Sequence, residues 1–246
     1  MTSIAAAVPF TMLLSFGDSG YGDELLWAAL RTLEISIFGY TFGIVLGLAG
    51  ALGKIAGPFW LRRALGFYTT LFRALPELIL IMLLYYAGTD GVNRLLGGLG
   101  LGTLQMNGMI AAIFVLGIVQ GAYSTEVLRA AITAVPTGQL EAASAFGMSA
   151  SLRFRRITLP AMLPHALPGL TNLWLNITKE SALVSIVGYT ELALATQQVA
   201  GVSKKYFVVY LVAQGIYLII SLSSVWLFGR LEKKLRRGDT FARGAA

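Results

Sequence analysis

The sequence predicts an all-α polytopic membrane protein with five transmembrane helices. Its N-terminus lies outside, its C-terminus lies in the cytoplasm, and a cytoplasmic loop of two short helices joins helices 3 and 4. Three observations predict this. The 246 residues are 56% hydrophobic and only 13% charged, where ordinary soluble domains are roughly a quarter charged. Five windows are long and apolar enough to cross a bilayer, at 28–52, 64–87, 109–132, 166–188 and 206–229. The basic residues between those windows favour alternate loops, as the positive-inside rule requires.

The remaining composition narrows the function. There is no cysteine, and His165 is the sole histidine, which leaves no thiolate or His-rich metal site and no disulfide framework. No Ser/His/Asp constellation suggests a membrane-embedded enzyme, and no cofactor is expected on this chain. A net charge of +7 reads as cytoplasmic-loop bias rather than nucleic-acid binding. The apolar run at residues 4–14 has no preceding Lys or Arg, so it lacks the basic region of a signal peptide. It is also too short to span, since crossing takes roughly 20 residues. Residues 1–27 are therefore expected to be extracytoplasmic or interfacial.

Each window is expected to be a helix, because bilayer-core backbone must satisfy its own hydrogen bonds. Only acids, Asp18, Asp23 and Glu24, precede the first window. The first loop holds Lys54, Arg62 and Arg63, the second Arg94 with Asp90, and the third Arg153, Arg155 and Arg156. The fourth holds the discordant pair Lys204 and Lys205, and the tail, 230–246, holds six basic residues from Arg230 to Arg243. Gly39, Gly43 and Gly47 recur at intervals of four in the first window and predict close helix packing inside the bundle. The run LAGALGKI at 48–55 fails as a phosphate loop: Leu48 stands at its first glycine and Ile55 where Ser or Thr must bind magnesium.

The third loop reads EAASAFGMSASLRFRRITLP over 141–160. Pro136 should end the third helix, Thr137 should cap a new one, and Gly147 should stop it in the left-handed conformation. Ser149 should cap a second short helix through Arg156, ended by Pro160. On composition alone this is an amphipathic loop held inside by its arginines.

The spacing says more. Glu141-Ala142-Ala143, three residues, Gly147, nine residues, then Ile157-Thr158-Leu159-Pro160 resembles the EAA loop of permease subunits of ATP-binding-cassette importers. FYTTLFRALPEL (67–78), GAYSTEVLRAAITAVPTGQLEAASAFG (121–147) and HALPGLTNLWLNITKESALVSIVG (165–188) resemble the histidine/lysine/arginine/ornithine branch of amino-acid importer permeases, and the resemblance does not separate those substrates from opines, which are amino-acid derivatives. The resemblance implies a transmembrane domain over 28–229, with the EAA loop at 136–160, in the bacterial cytoplasmic (inner) membrane. It implies pairing with an identical or sibling permease, two ATP-binding subunits that carry the ATP and magnesium, and an extracytoplasmic amino-acid-binding protein. Glu141, Ala142, Ala143, Gly147, Ile157, Leu159 and Pro160 would form the coupling element. Arg155 and Arg156 would meet the ATPase or lipid headgroups, or serve topology alone.

Ionisable residues within spans are costly and mark function. Arg73 and Glu77 stand at i and i+4 in the second window, placed to pair on one helical face, with Pro76 kinking the helix between them. That pair is either structural or part of the pathway. Lys179 and Glu180 lie in the fourth window, and Glu126 and Arg129 in the third. In the basic-amino-acid branch the position after this proline is commonly acidic, as Glu77 is. Glu77 is thus expected to meet a substrate guanidinium or ammonium group, Arg73 or Lys179 its α-carboxylate, and Asn176 and Thr178 to add neutral hydrogen bonds. The alternative is an ion-gradient-driven secondary transporter with Glu77 and Glu126 as proton carriers, a class that does not need the EAA spacing.

Overall fold

The computed structural model describes residues 14–17, 20–99 and 108–236. The expected run at 4–14 falls almost wholly outside them, as does the end of the tail. Among the described residues the chain is helical, with no strand. Helix α1 spans Gly22–Ala56 and α4 spans Gly108–Thr133, and between them lie α2, Phe59–Ala74, and α3, Glu77–Gly98. Then come the short helices α5, Thr137–Ala145, and α6, Ala150–Arg153, a π turn at Phe154–Thr158, and α7, Leu159–Glu180. A 3-10 stretch at Ser181–Val187, α8 at Leu192–Ser203 and α9 at Tyr206–Arg236 complete the order.

Helices α1 and α4 form the centre. Gly43 faces Gln120 and Gly47 faces Ser124 across their contact. A Cβ at Gly47 would stand 2.4 Å from that of Ser124, so the glycine register sets how closely the two helices approach. Helix α7 closes the core with Met162, Leu170, Trp174 and Ile177 against Ile35 and Tyr40 of α1 and Leu116 and Leu128 of α4. Tyr40 packs edge-on to Trp174, at 5.4 Å between ring centroids, and its hydroxyl donates to the Leu170 carbonyl at 2.8 Å. A second cluster joins Leu25 and Ala28 of α1 to Leu192 and Val199 of α8 and Val209 of α9.

The expected spans are only partly single helices. Three helices among the described residues have the length and hydropathy to cross a membrane: Gly22–Ala56, Gly108–Thr133 and Tyr206–Leu235. The window at 64–87 is a broken pair instead, with a bend of 117° between α2 and α3. Leu75 is extended there, with φ −94° and ψ 147°. Proline disfavours the helical conformation in the residue before it, and with Leu75 extended Pro76 breaks the helix rather than kinking it. The expected Arg73–Glu77 pair on one face is lost with the continuous helix, and no ion pair joins them. The window at 166–188 is the latter part of α7 plus the 3-10 stretch, and Gly188 ends it with φ +83°. Helix α9 is peripheral: 11% of its most apolar window is buried, against 61% for α4. Its outward Leu218, Leu222, Val225 and Leu227 need cover from lipid or protein.

Two further expectations in the third loop change. Thr137 is the first residue of α5 and makes no cap bond; Pro136 occupies the cap position, where its missing N–H costs nothing. Pro160 does not end a helix. It lies in the first turn of α7, just where the π turn reverts to α, the Leu159 amide bonding back five residues to the Phe154 carbonyl. A proline is tolerated where the hydrogen-bond ladder is already changing register. The helical path is consequently unbroken from Ala150 to Val187.

Candidate functional site

The helix break places Glu77 in the first turn of α3, beside the far end of α7. There Glu77, Asn176, Lys179, Glu180 and Leu183 line a cavity of about 340 Å³. The Tyr123 hydroxyl of α4 donates to Glu77 Oε1 at 3.3 Å, and the Arg73 guanidinium lies 5.9 Å over the Tyr123 ring. The Glu77 and Glu180 carboxyl groups face the same cavity, with Lys179 beside them. Two carboxyls this close repel when both are ionised, so the pair is suited to a cation between them. Four residues expected on a pathway, Glu77, Asn176, Lys179 and Glu180, thus share one wall, with Arg73 behind Tyr123. Thr178 does not join them. It is 1% exposed and its hydroxyl donates to the Trp174 carbonyl at 2.9 Å, within the core.

Two polar networks were not legible in the sequence. Lys54 pairs with Glu126, which also accepts from Arg129 Nε at 3.0 Å. Lys54 Nζ also donates to Thr69 of α2 at 2.9 Å, and Tyr68 bonds to the Ile118 carbonyl. Helix α2 is thereby tied to the α1–α4 pair. The available signal is complementary charge just past the end of the first window, at Lys54, and near the end of the third, at Glu126. The other network centres on Glu191, which has no solvent exposure. It caps α8 by accepting from the Ala193 and Leu194 amides at 2.9 and 3.0 Å. Thr32 of α1 and Tyr217 of α9 donate to its Oε2 at 3.3 and 3.1 Å. Burial pushes this carboxyl above the usual range, and these donors pull it back. A Glu191→Ala variant strands four donors, of which Thr32 and Tyr217 lose the only acceptor they share. It is expected to lower unfolding stability in detergent by about 3 kcal/mol, read as a lower Tm. An unchanged Tm would contradict that role.

The third-loop stretch is an elbow. Gly147 takes φ +72° between α5 and α6, and the Ser149 hydroxyl accepts from the Leu152 amide at 3.4 Å. Arg153 reaches back to the Ser144 hydroxyl and braces the two arms. Ala143 is buried against the chain, while Glu141, Ala142 and Gly147 face outward. Phe146 is 85% exposed beside them, an outward aromatic that lies within the three-residue interval of the EAA spacing. Arg155 and Arg156 are exposed and, with Ser149, Ser151 and Leu152, line a groove of about 410 Å³. Leu159 packs against the core, Ile157 is half-buried and Pro160 is exposed. Among the described residues no group of three His, Asp or Glu side chains is placed to hold a metal.

Residues 39–237 match the family described as binding-protein-dependent transport system inner membrane component. The chain belongs to that family. This permease is 36% identical over 230 residues to the octopine transport system permease protein OccQ of Rhizobium radiobacter, covering 93% of this chain and 97% of that one. It is 36% identical over 219 residues to the histidine/lysine/arginine/ornithine transport system permease protein HisQ of Escherichia coli (strain K12), covering 89% and 96%. The fold matches a crystal structure of an amino acid ABC transporter with histidines at TM-score 0.73 and 28% identity, over 87% of this chain and 95% of that one. The permease is an inner-membrane transport component of an ABC importer, working with ATP-binding subunits and a substrate-binding protein.

Proposed function

We propose that this permease imports basic amino acids, or opine derivatives of them, at the expense of ATP hydrolysed on a partner. The carrying observation is that one helical path, from Ala150 to Val187, has the EAA elbow at one end and the carboxylate-lined cavity at the other. Residues 28–229 form the transmembrane domain in this reading. They make five crossings, the second by the broken α2–α3 pair, with the N-terminus outside and the tail of Arg230, Lys233 and Lys234 in the cytoplasm. The chain is not itself a catalyst: ATP and magnesium sit on two ATP-binding subunits, and the permease pairs with a sibling or identical copy.

Glu141, Ala142, Phe146 and Gly147 present the face that seats in the ATP-binding subunit, while Ile157, Leu159 and Pro160 carry the motion into α7. Arg155 and Arg156 meet the ATPase or lipid headgroups from the groove beside Ser149. Such transmission is rigid-body switching of packed elements. At the other end Glu77 and Glu180 receive the cationic side chain, which cannot be buried unpaired without a cost of several kcal/mol. Asn176 and Lys179 are placed for the α-amino-acid end, with Arg73 behind Tyr123.

The test is uptake by the assembled importer in vesicles. Arginine is expected to accumulate only with ATP and the ATP-binding subunits present, and to be indifferent to collapse of proton and sodium gradients. Accumulation that needs a gradient but no ATP would overturn this function.

A further inference from the structure

A second cavity of about 340 Å³ lies on the other side of Lys179, between α7 and α9, lined by Lys179, Ala182, Gln214, Tyr217, Leu218 and Ser221. Lys179 is common to both cavities. The first has two carboxylates on its wall; the second has none among its lining residues. Its polar groups come from a stripe on α9, where Gln214, Tyr217 and Ser221 follow one another at helical spacing. On either side of the stripe α9 is outwardly apolar, with Leu211, Ile219, Leu222 and Val225 exposed.

The hydrogen bonding of the stripe is incomplete. Tyr217 has committed its proton to Glu191 at 3.1 Å. Neither Gln214 nor Ser221 has a side-chain hydrogen-bond partner among the described residues, although Ser224 bonds to its own helix at 2.7 Å. Unsatisfied polar side chains at membrane depth are retained where they line a cavity or pathway. Lys179 supplies a positive charge, Gln214 an amide donor and Ser221 a hydroxyl donor. That is the chemistry of a carboxylate site in a low-dielectric wall.

Building on the proposed basic substrate, we infer that the Lys179–Gln214–Ser221 cavity is a carboxylate subsite for N-substituted basic amino acids. The guanidinium end would occupy the Glu77–Glu180 cavity, and a second carboxylate, carried on the α-amino nitrogen, would reach past Lys179 to Gln214 and Ser221. Plain arginine has no group for this subsite. The subsite therefore discriminates by the added carboxylate, because a site built to donate hydrogen bonds loses most when its acceptor is missing.

The test compares uptake of arginine and of octopine, an arginine whose α-amino nitrogen carries a carboxyethyl group, by the assembled importer. Wild type is expected to move both. Ser221→Ala is expected to raise KM for octopine at least about tenfold, the loss for one hydrogen bond to a charged group. Gln214→Glu keeps size and polarity but sets a carboxylate against a carboxylate, and is expected to lower octopine uptake further. In both variants the arginine KM stays within about twofold and arginine-stimulated ATP hydrolysis persists, which shows that the complex is assembled.

Equal losses for both substrates would overturn the subsite, and are the result expected if the stripe seats the sibling subunit instead. Wild-type uptake of arginine without octopine would overturn the subsite alone. Failure to move either, with a neutral amino acid transported, would overturn the basic-substrate reading and the subsite with it.

Discussion

Ala142→Glu is expected to leave the permease inserted and its ATP-binding subunits hydrolysing ATP, while arginine uptake falls about a hundredfold. Ala142 lies on the outward face of α5 beside Phe146, which is 85% exposed, so a longer acidic side chain lands where the partner seats. An unpaired carboxylate forced into an interface costs about 3 kcal/mol or more, and each 1.4 kcal/mol or so is tenfold. A bulky charge at Gly147, such as Gly147→Lys, should do the same by a second route. Its φ of +72° is strained for any residue with a Cβ, so the elbow angle shifts even though the space around it is open. Hydrolysis and uptake measured together on one preparation check both variants. Normal coupling in either would count heavily against the elbow as the transmission element.

Glu77→Leu and Glu77→Gln are expected to reduce arginine and lysine uptake at saturating binding protein by tenfold or more, the scale of a lost hydrogen bond to a charged group. Leucine also strands the Tyr123 hydroxyl, which donates to Glu77 at 3.3 Å. Glutamine keeps a hydrogen-bonding oxygen there and removes only the charge, which isolates the electrostatic part. Glu180 remains against the same position, so Glu77→Gln with Glu180→Gln should exceed either change alone. Unchanged transport of both substrates in the two single variants would sink the role of Glu77.

Much of this arrangement could be read from the residues in order. The apolar windows locate α1, α4 and α9, because a long apolar run has one way to satisfy its backbone in lipid. Gly147 and Ser149 do what their types dictate, one turning left-handed and the other capping. The failures share a cause. Pro76 was legible as a disturbance, but whether a proline kinks or breaks a helix depends on what the freed ends meet. Here the freed end of α3 meets α7 and Tyr123, with Glu77 and Glu180 on one cavity wall. Pro160 looked like a stop, yet the helix absorbs it by changing register. Lys54 looked like a loop charge marking the cytoplasmic side, and it reaches Glu126, 72 residues away in sequence. Glu191 gave no signal beyond an acid before an apolar helix, since its partners Thr32 and Tyr217 come from opposite ends of the chain. Local chemistry is written locally; pairing across the bundle is not.

In the proposed mechanism the elbow and the cavity are two ends of one moving element. The chain has no cysteine, so Leu183→Cys puts a single thiol on the cavity wall. Its labelling by a membrane-impermeant thiol reagent, added from each side of sealed vesicles, reports which side the cavity faces. Labelling is expected from one side without nucleotide and from the other with ATP trapped on the partner subunits, a switch abolished by Ala142→Glu. Labelling that is the same from both sides whatever the nucleotide, or a switch that survives Ala142→Glu, would contradict it.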